Sequence, residues 1–93
     1  MRLMADRSKE IDDTSGIPRY VQVARIIENE IRTGVWKPGS VIPSQVTISQ
    51  EFGIARTTVA RVHARLAEHH LVVAVPGVGM VVLPRAKWDN QKS

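Results

Sequence analysis

The stretch Glu51-Phe52-Gly53-Ile54-Ala55-Arg56-Thr57-Thr58-Val59-Ala60-Arg61-Val62-His63-Ala64-Arg65-Leu66 decides the fold. Val59, Val62 and Leu66 recur at spacings of three and four, the period of one helix face. Thr57, Ala60, Arg61 and Ala64 fall roughly opposite them. The spacing predicts a helix from about Arg56 to His69. Gly53 stands just before it, and glycine takes the left-handed backbone that closes a preceding helix. That earlier helix is predicted to be short, from about Gln45 to Phe52. Ser44 is its expected N-cap, because a serine hydroxyl can accept from a free N–H of the first turn. Two helices therefore meet at a glycine turn.

The flanking sequence extends the same pattern outward. Tyr20, Val23, Ile27 and Ile31 form another stripe at spacings of three and four, with Ala24 beside it. Pro18 sits where a first helical turn tolerates it, and Thr33-Gly34 marks the stop. Arg25, Glu28, Asn29 and Arg32 fall on the other faces. Pro38-Gly39 fits a type II turn, followed by Val41-Ile42 as a very short strand. Downstream, Leu71 to Val75 and Met80 to Leu83 are apolar runs separated by Pro76-Gly77-Val78-Gly79. This reads as a β-hairpin with a four-residue turn. Residues 1–16 are expected to be a flexible N-terminal arm, 17–83 the folded domain, and 84–93 a short tail with Trp88 as its large apolar group. The predicted class is α+β, mostly α: three helices plus a C-terminal hairpin wing, the winged helix-turn-helix order.

With 93 residues the chain is long enough for one domain. The absence of cysteine excludes disulfides, thiolate chemistry and Cys-ligated metal. Met1 to Arg7 has no apolar run like that of a signal peptide, and no stretch approaches the length of a membrane span; a cytoplasmic, nucleoid-associated protein is expected. Lys and Arg number 13 against 9 Asp and Glu, a net charge of +4, which favours an anionic partner only weakly. The placement of the charge says more. From Phe52 to Ala67 there is no acidic residue, while Arg56, Arg61 and Arg65 are cationic. Thr57 and Thr58 add hydroxyls near a helix N-terminus, whose free N–H groups suit a phosphate. In a helix-turn-helix the second helix of the pair enters the major groove. There an arginine can pair with guanine or neutralise phosphate. The plainer alternative is a solvated helix face with Glu51 or Glu68 as ion-pair partners, and threonines that merely favour a first turn.

Other chemistries find little support. His69 and His70 are adjacent and diverge on a helix, and His63 lies at a poor ligand spacing from them, so no metal or other cofactor is expected. There is no nucleophile–base–orienter set for an enzyme. Gly77-Val78-Gly79 lacks the following helix of a nucleotide fingerprint. The competing reading is a protein-interaction or adaptor module. The hairpin from Leu71 to Leu83 is nearly all apolar, and only one face can pack on the helices.

Taken in order, these residues resemble the GntR-type bacterial transcription regulators, in their N-terminal DNA-binding domain. The resemblance runs from about Ile17 to Val82. It includes Ile17-Pro18-Arg19-Tyr20, Ile31-Arg32-Thr33-Gly34, Lys37-Pro38-Gly39-Ser40-Val41-Ile42-Pro43-Ser44, Glu51 through Val59, and the Gly77-Val78-Gly79 wing. It implies binding of double-stranded DNA, with Arg56 and Thr58 at contact positions and the Gly77 turn in the minor groove. The candidate DNA-binding set is Arg56, Thr57, Thr58, Arg61, Arg65, Ser44 and Gly77. The sequence departs from the family pattern in several places. Val46 stands where the family usually has arginine, and Ala60 precedes Arg61 where an arginine usually follows directly. Ala74, Val75 and Val78 occupy a wing that is often basic, and Ala55 replaces a capping Ser or Thr. Full-length relatives carry a second domain that binds a small ligand and usually dimerises, and only about ten residues follow the hairpin here. The expectation is a regulator, a repressor in direction, without a small-molecule effector domain. It would be a monomer, a weak homodimer, or a dimer formed on DNA.

Overall fold

The structure is a computed structural model and describes residues 6–89. Helix α1 spans Arg19–Arg32, α2 Gln45–Phe52 and α3 Arg56–Glu68. Strands β1 (Val72–Val75) and β2 (Gly79–Val82) form one antiparallel hairpin. Short 3-10 turns lie at Ser8–Glu10 and Arg85–Lys87. The three helices and the wing hairpin are those read from the sequence.

Both predicted stripes face the core. Val23, Ala24, Ile27 and Ile31 of α1 meet Val59, Val62 and Leu66 of α3, all buried. Ile48 and Phe52 of α2 and Leu71, Val72 and Val82 of the hairpin complete the cluster. Ser44 caps α2: its hydroxyl accepts from the Thr47 amide at 3.2 Å. Gly53 ends α2 at φ 68, and the Gly53 and Ile54 amides both donate to the Ser49 carbonyl. The chain then turns within two residues into α3. That left-handed step is open to glycine at no steric cost and sets the angle between the two helices.

The hairpin turn is one residue shorter than the sequence suggested. Val75 pairs with Gly79, and the Val78 amide donates to the Val75 carbonyl, so the loop is Pro76 to Val78. Val41 forms a single bridge to Val81, and the Ile42 amide donates to the Met80 carbonyl at 3.0 Å. The expected short strand is thus a one-residue bridge that ties the wing to the turn before α2.

The described parts of both ends make contacts with the helical domain. Residues 1–5 of the arm and 90–93 of the tail lie outside the described residues. The Arg7 amide donates to the Glu51 carbonyl. Its guanidinium lies 4.7 Å from the Phe52 ring centroid and donates to Glu30 Oε2 at 2.6 Å. Glu30 Oε1 accepts from the Trp36 indole at 3.0 Å. Hydrogen bonds to Glu10 and then Glu30 raise the Arg7 pKa above its ordinary value against the cost of burial. At the other end Trp88 lies between Arg32 and Arg85, and its indole donates to the Leu83 carbonyl at 2.8 Å. The Asp89 amide donates to the His69 carbonyl, and Arg32 donates to the Asp89 carbonyl. Isolated charged residues gave the sequence reading no sign of these long-range partners.

Candidate nucleic-acid interface

With Val59, Val62, His63 and Leu66 buried, the outer face of α3 is fixed by helix phase. Thr57, Ala60, Arg61 and Ala64 are exposed on it, as the spacing predicts. Two alanines among longer side chains let another surface approach the helix closely. Arg56 and Arg65 are nine residues apart, about two and a half turns, and so lie on opposite flanks. Arg56 is exposed on the flank nearer His63, while Arg65 is half-buried on the flank it shares with Thr58. The three arginines form no single row: Arg61 stands on the face, and Arg56 and Arg65 bracket it.

Among the described residues none of these three arginines makes an ion pair. Neither Glu51 nor Glu68 pairs with them, so the solvated-pair alternative is not what the structure holds. Arg61 instead lies over the Tyr20 ring of α1, 4.7 Å from its centroid. Such a contact contributes about 0.5–1 kcal/mol at an exposed site and restrains the guanidinium beside the face. Tyr20 read from the sequence only as one more member of the α1 stripe. No spacing rule could have shown that it sits at the stripe's edge, under an arginine of another helix.

The start of α3 has no side-chain cap, because Ala55 has no hydroxyl to offer. Its first amides stay available to an external acceptor. A shallow cleft joins this end to α1 through Pro18, Arg19, Tyr20, Thr58 and Arg61. Arg19 is already engaged by Asp13, Nη2 to Oδ2 at 2.8 Å, and that pairing lowers the Asp13 pKa. Ser44 is exposed at the start of α2, but its hydroxyl is used within the helix cap and donates to Thr47 Oγ1. Val46, in the place of the expected family arginine, is exposed two residues further on. Gly77 is at the exposed tip of the wing beside Val78, which is 57% exposed. The structure therefore gathers Arg56, Thr57, Thr58, Arg61 and Arg65 on and around one helix face. It sets Ser44 and Gly77 apart, on α2 and the wing.

Three helices, a glycine turn between the last two and a hairpin following them define a winged helix-turn-helix domain with an exposed basic helix. Residues 19–82 match the family described as bacterial regulatory proteins, gntR family, and the chain belongs to that family. It is 37% identical over 65 residues to the histidine utilization repressor of Klebsiella aerogenes, an alignment covering 70% of this chain and 27% of that protein. The chain thus spans about a quarter of that relative's length. Among solved structures it is similar to YtrA of Sulfolobus acidocaldarius, a GntR-family transcription factor. The TM-score is 0.73 and the identity 31%, over 81% of this chain and 79% of that one. It is also similar to the AraR DBD in complex with operator ORX1, with TM-score 0.69 and 29% identity, over 77% and 86% of the two chains.

No helix among the described residues is long and apolar enough to cross a membrane. No group of three or more His, Asp or Glu among them could hold a metal ion. His63 is buried in α3, His69 ends that helix and His70 pairs with Asp89 through Nδ1 at 2.8 Å, so the three histidines serve different surroundings.

Proposed function

We propose that this chain binds double-stranded DNA in a sequence-specific manner and acts in the cytoplasm as a transcription repressor. The observation that carries the reading is the outer face of α3, where Arg56, Arg61 and Arg65 bracket small and hydroxylated side chains without acidic partners. The likeness to a DBD held with its operator supports it. In this reading α3 lies in the major groove. Arg56 and Arg61 reach base edges or phosphates, and Arg65 neutralises phosphate from the α1 flank. Thr57 and Thr58 donate to the backbone beside the uncapped amides of α3. Ser44 meets phosphate from the start of α2, and the Gly77 turn enters the minor groove. With Val46 and an apolar wing in place of basic residues, fewer phosphates are neutralised than a basic wing would reach. Two copies assemble on adjacent half-sites, with the duplex raising their effective concentration.

Selection from random duplex DNA with the purified protein tests this reading. A palindromic consensus is expected. On the selected duplex, Arg56→Ala should weaken binding by about 1–3 kcal/mol, with the fold intact by circular dichroism. Three to five phosphate contacts per copy give a log–log salt slope of about −3 to −4.5 for each copy bound. No enriched sequence and a slope near zero would replace this reading with that of a protein-interaction module. The exposed Val73 and Val78 of the hairpin would then be the surface to probe.

A further inference from the structure

The acidic end of the N-terminal arm is held against α1 by a defined set of hydrogen bonds. Gln22 Oε1 accepts from the Asp12 amide at 2.7 Å, and its Nε2 donates to the Asp12 and Ile17 carbonyls at 3.0 and 2.8 Å. Asp12 Oδ1 accepts from the amide and the hydroxyl of Thr14. The carboxylate of the next residue, Asp13, lies on Arg19: Nε donates to Oδ1 at 2.9 Å and Nη2 to Oδ2 at 2.8 Å. This is the two-pronged geometry in which a guanidinium also takes a phosphate. Arg19 lines the cleft that carries Tyr20, Ala55, Thr58 and Arg61 at the start of α3. With Asp13, Phe52 and Gly53 it also lines a smaller hollow at the helix-turn-helix turn. Arg19 is therefore a cation beside the candidate interface that already carries its own counter-ion. Arg56, Arg61 and Arg65 make no ion pair among the described residues.

We infer that Asp13 is an internal competitor for the DNA backbone: its carboxylate occupies the Arg19 guanidinium in the free protein, and a phosphate of the duplex displaces it on binding. The inference rests on the DNA-binding reading of α3. Both side chains are more than half exposed, 52% for Arg19 and 61% for Asp13. A pair so open to water is weak, and a phosphate can replace the carboxylate by a change of side-chain partner alone. Arg19 then adds a phosphate contact beside Thr58 and Arg61. The arm thereby sets how tightly a duplex is held without touching a base.

The test titrates the full chain with a mixed-sequence duplex of about 20 base pairs, by fluorescence anisotropy at several salt concentrations. Both positions are exposed, so the fold should survive either substitution, as circular dichroism checks. Asp13→Asn should raise affinity about three- to fivefold, the range open to an exposed ion pair. Arg19→Ala should lower affinity and reduce the salt slope by about 0.9 per copy, one phosphate contact. In the Arg19→Ala background, Asp13→Asn should gain less than about twofold, because only screened repulsion between Asp13 and the backbone is then relieved. Equal gains in the two backgrounds would overturn the inference, as would no gain from Asp13→Asn or an unchanged slope for Arg19→Ala. Arg56→Ala separates this inference from the reading beneath it. Binding that weakens in Arg56→Ala but ignores Asp13→Asn refutes the competitor and leaves DNA binding standing. No binding by the unsubstituted chain or by any variant removes both.

Discussion

Replacing Arg7 by alanine should destabilise the domain far more than an arm residue would suggest. The Arg7 side chain is 16% exposed and that of its partner Glu30 is 20% exposed. An exposed ion pair contributes about 0–1 kcal/mol, whereas removing one partner of a buried pair costs about 3–5 kcal/mol. A pair four-fifths buried falls between these limits. Arg7→Ala leaves Glu30 with the Trp36 indole as a hydrogen-bond donor but without the cation beside it, and strips the guanidinium from the Phe52 ring. A loss of about 2–3 kcal/mol follows, including about 0.5–1 kcal/mol for the ring contact. In a domain of this size that lowers Tm by roughly 10–20 °C. Thermal unfolding followed by circular dichroism measures it. Adding Glu30→Gln removes the stranded charge while keeping an oxygen for Trp36, and should restore about 1 kcal/mol. A Tm change below about 3 °C for Arg7→Ala would be the signature of a solvated arm, and would refute the docking argument.

Gly53→Ala should cost about 1–2 kcal/mol in chemical denaturation, because φ is 68 there and an added Cβ meets nothing closer than Ser8 Cβ at 3.7 Å, leaving backbone strain as the cause. His70 is the non-glycine residue with positive φ (58) among those described, at the end of α3, so His70→Gly should stabilise by about 0.5–1 kcal/mol despite losing the exposed contact with Asp89. An unchanged or lower Tm would contradict that. His63 gives a pH dependence of definite sign: its folded pKa lies below the ordinary value of 6.5, so the unfolded chain takes up a proton first. Stability conferred by the neutral ring is complete above pH 6.5 and is lost as pH falls from there toward the folded pKa. Unfolding curves between pH 7.5 and 5 should therefore fall more steeply for the unsubstituted chain than for His63→Phe.

How much of this was legible in the sequence depends on whether the signal was periodic or a matter of contact. The stripes of α1 and α3 repeat, so phase alone placed Val23, Ile27, Val59 and Leu66 inside and Thr57, Ala60, Arg61 and Ala64 outside. Ser44 and Gly53 bounded α2 by local chemistry that needs no knowledge of the rest of the fold. The wing turn is one residue shorter than its sequence implies because apolar runs mark strands, but pairing register sets where the loop begins. The contacts of the two ends were not legible, because Arg7 meets Glu30 across 23 positions, and Arg32 meets Asp89 across 57. Nothing in a lone arginine's neighbours announces so distant a carboxylate or carbonyl.

The same division runs through the candidate interface. Which side chains face outward on α3 follows from 3.6 residues per turn, and so does the placement of Arg56 and Arg65 on opposite flanks. What holds those side chains does not follow. Arg61 is restrained by Tyr20, and Tyr20 belongs to the helix that buries Val23 and Ile27 against Val59 and Val62. The packing of α1 on α3 therefore does two things at once: it supplies core stability, and it sets the shelf on which an outward-facing cation rests. A core change that shifts α1 along α3 would move the Tyr20 ring relative to Arg61 while leaving every residue of the outer face in place. The geometry offered to a partner is in that sense a property of the core, although none of its contacting residues is buried there.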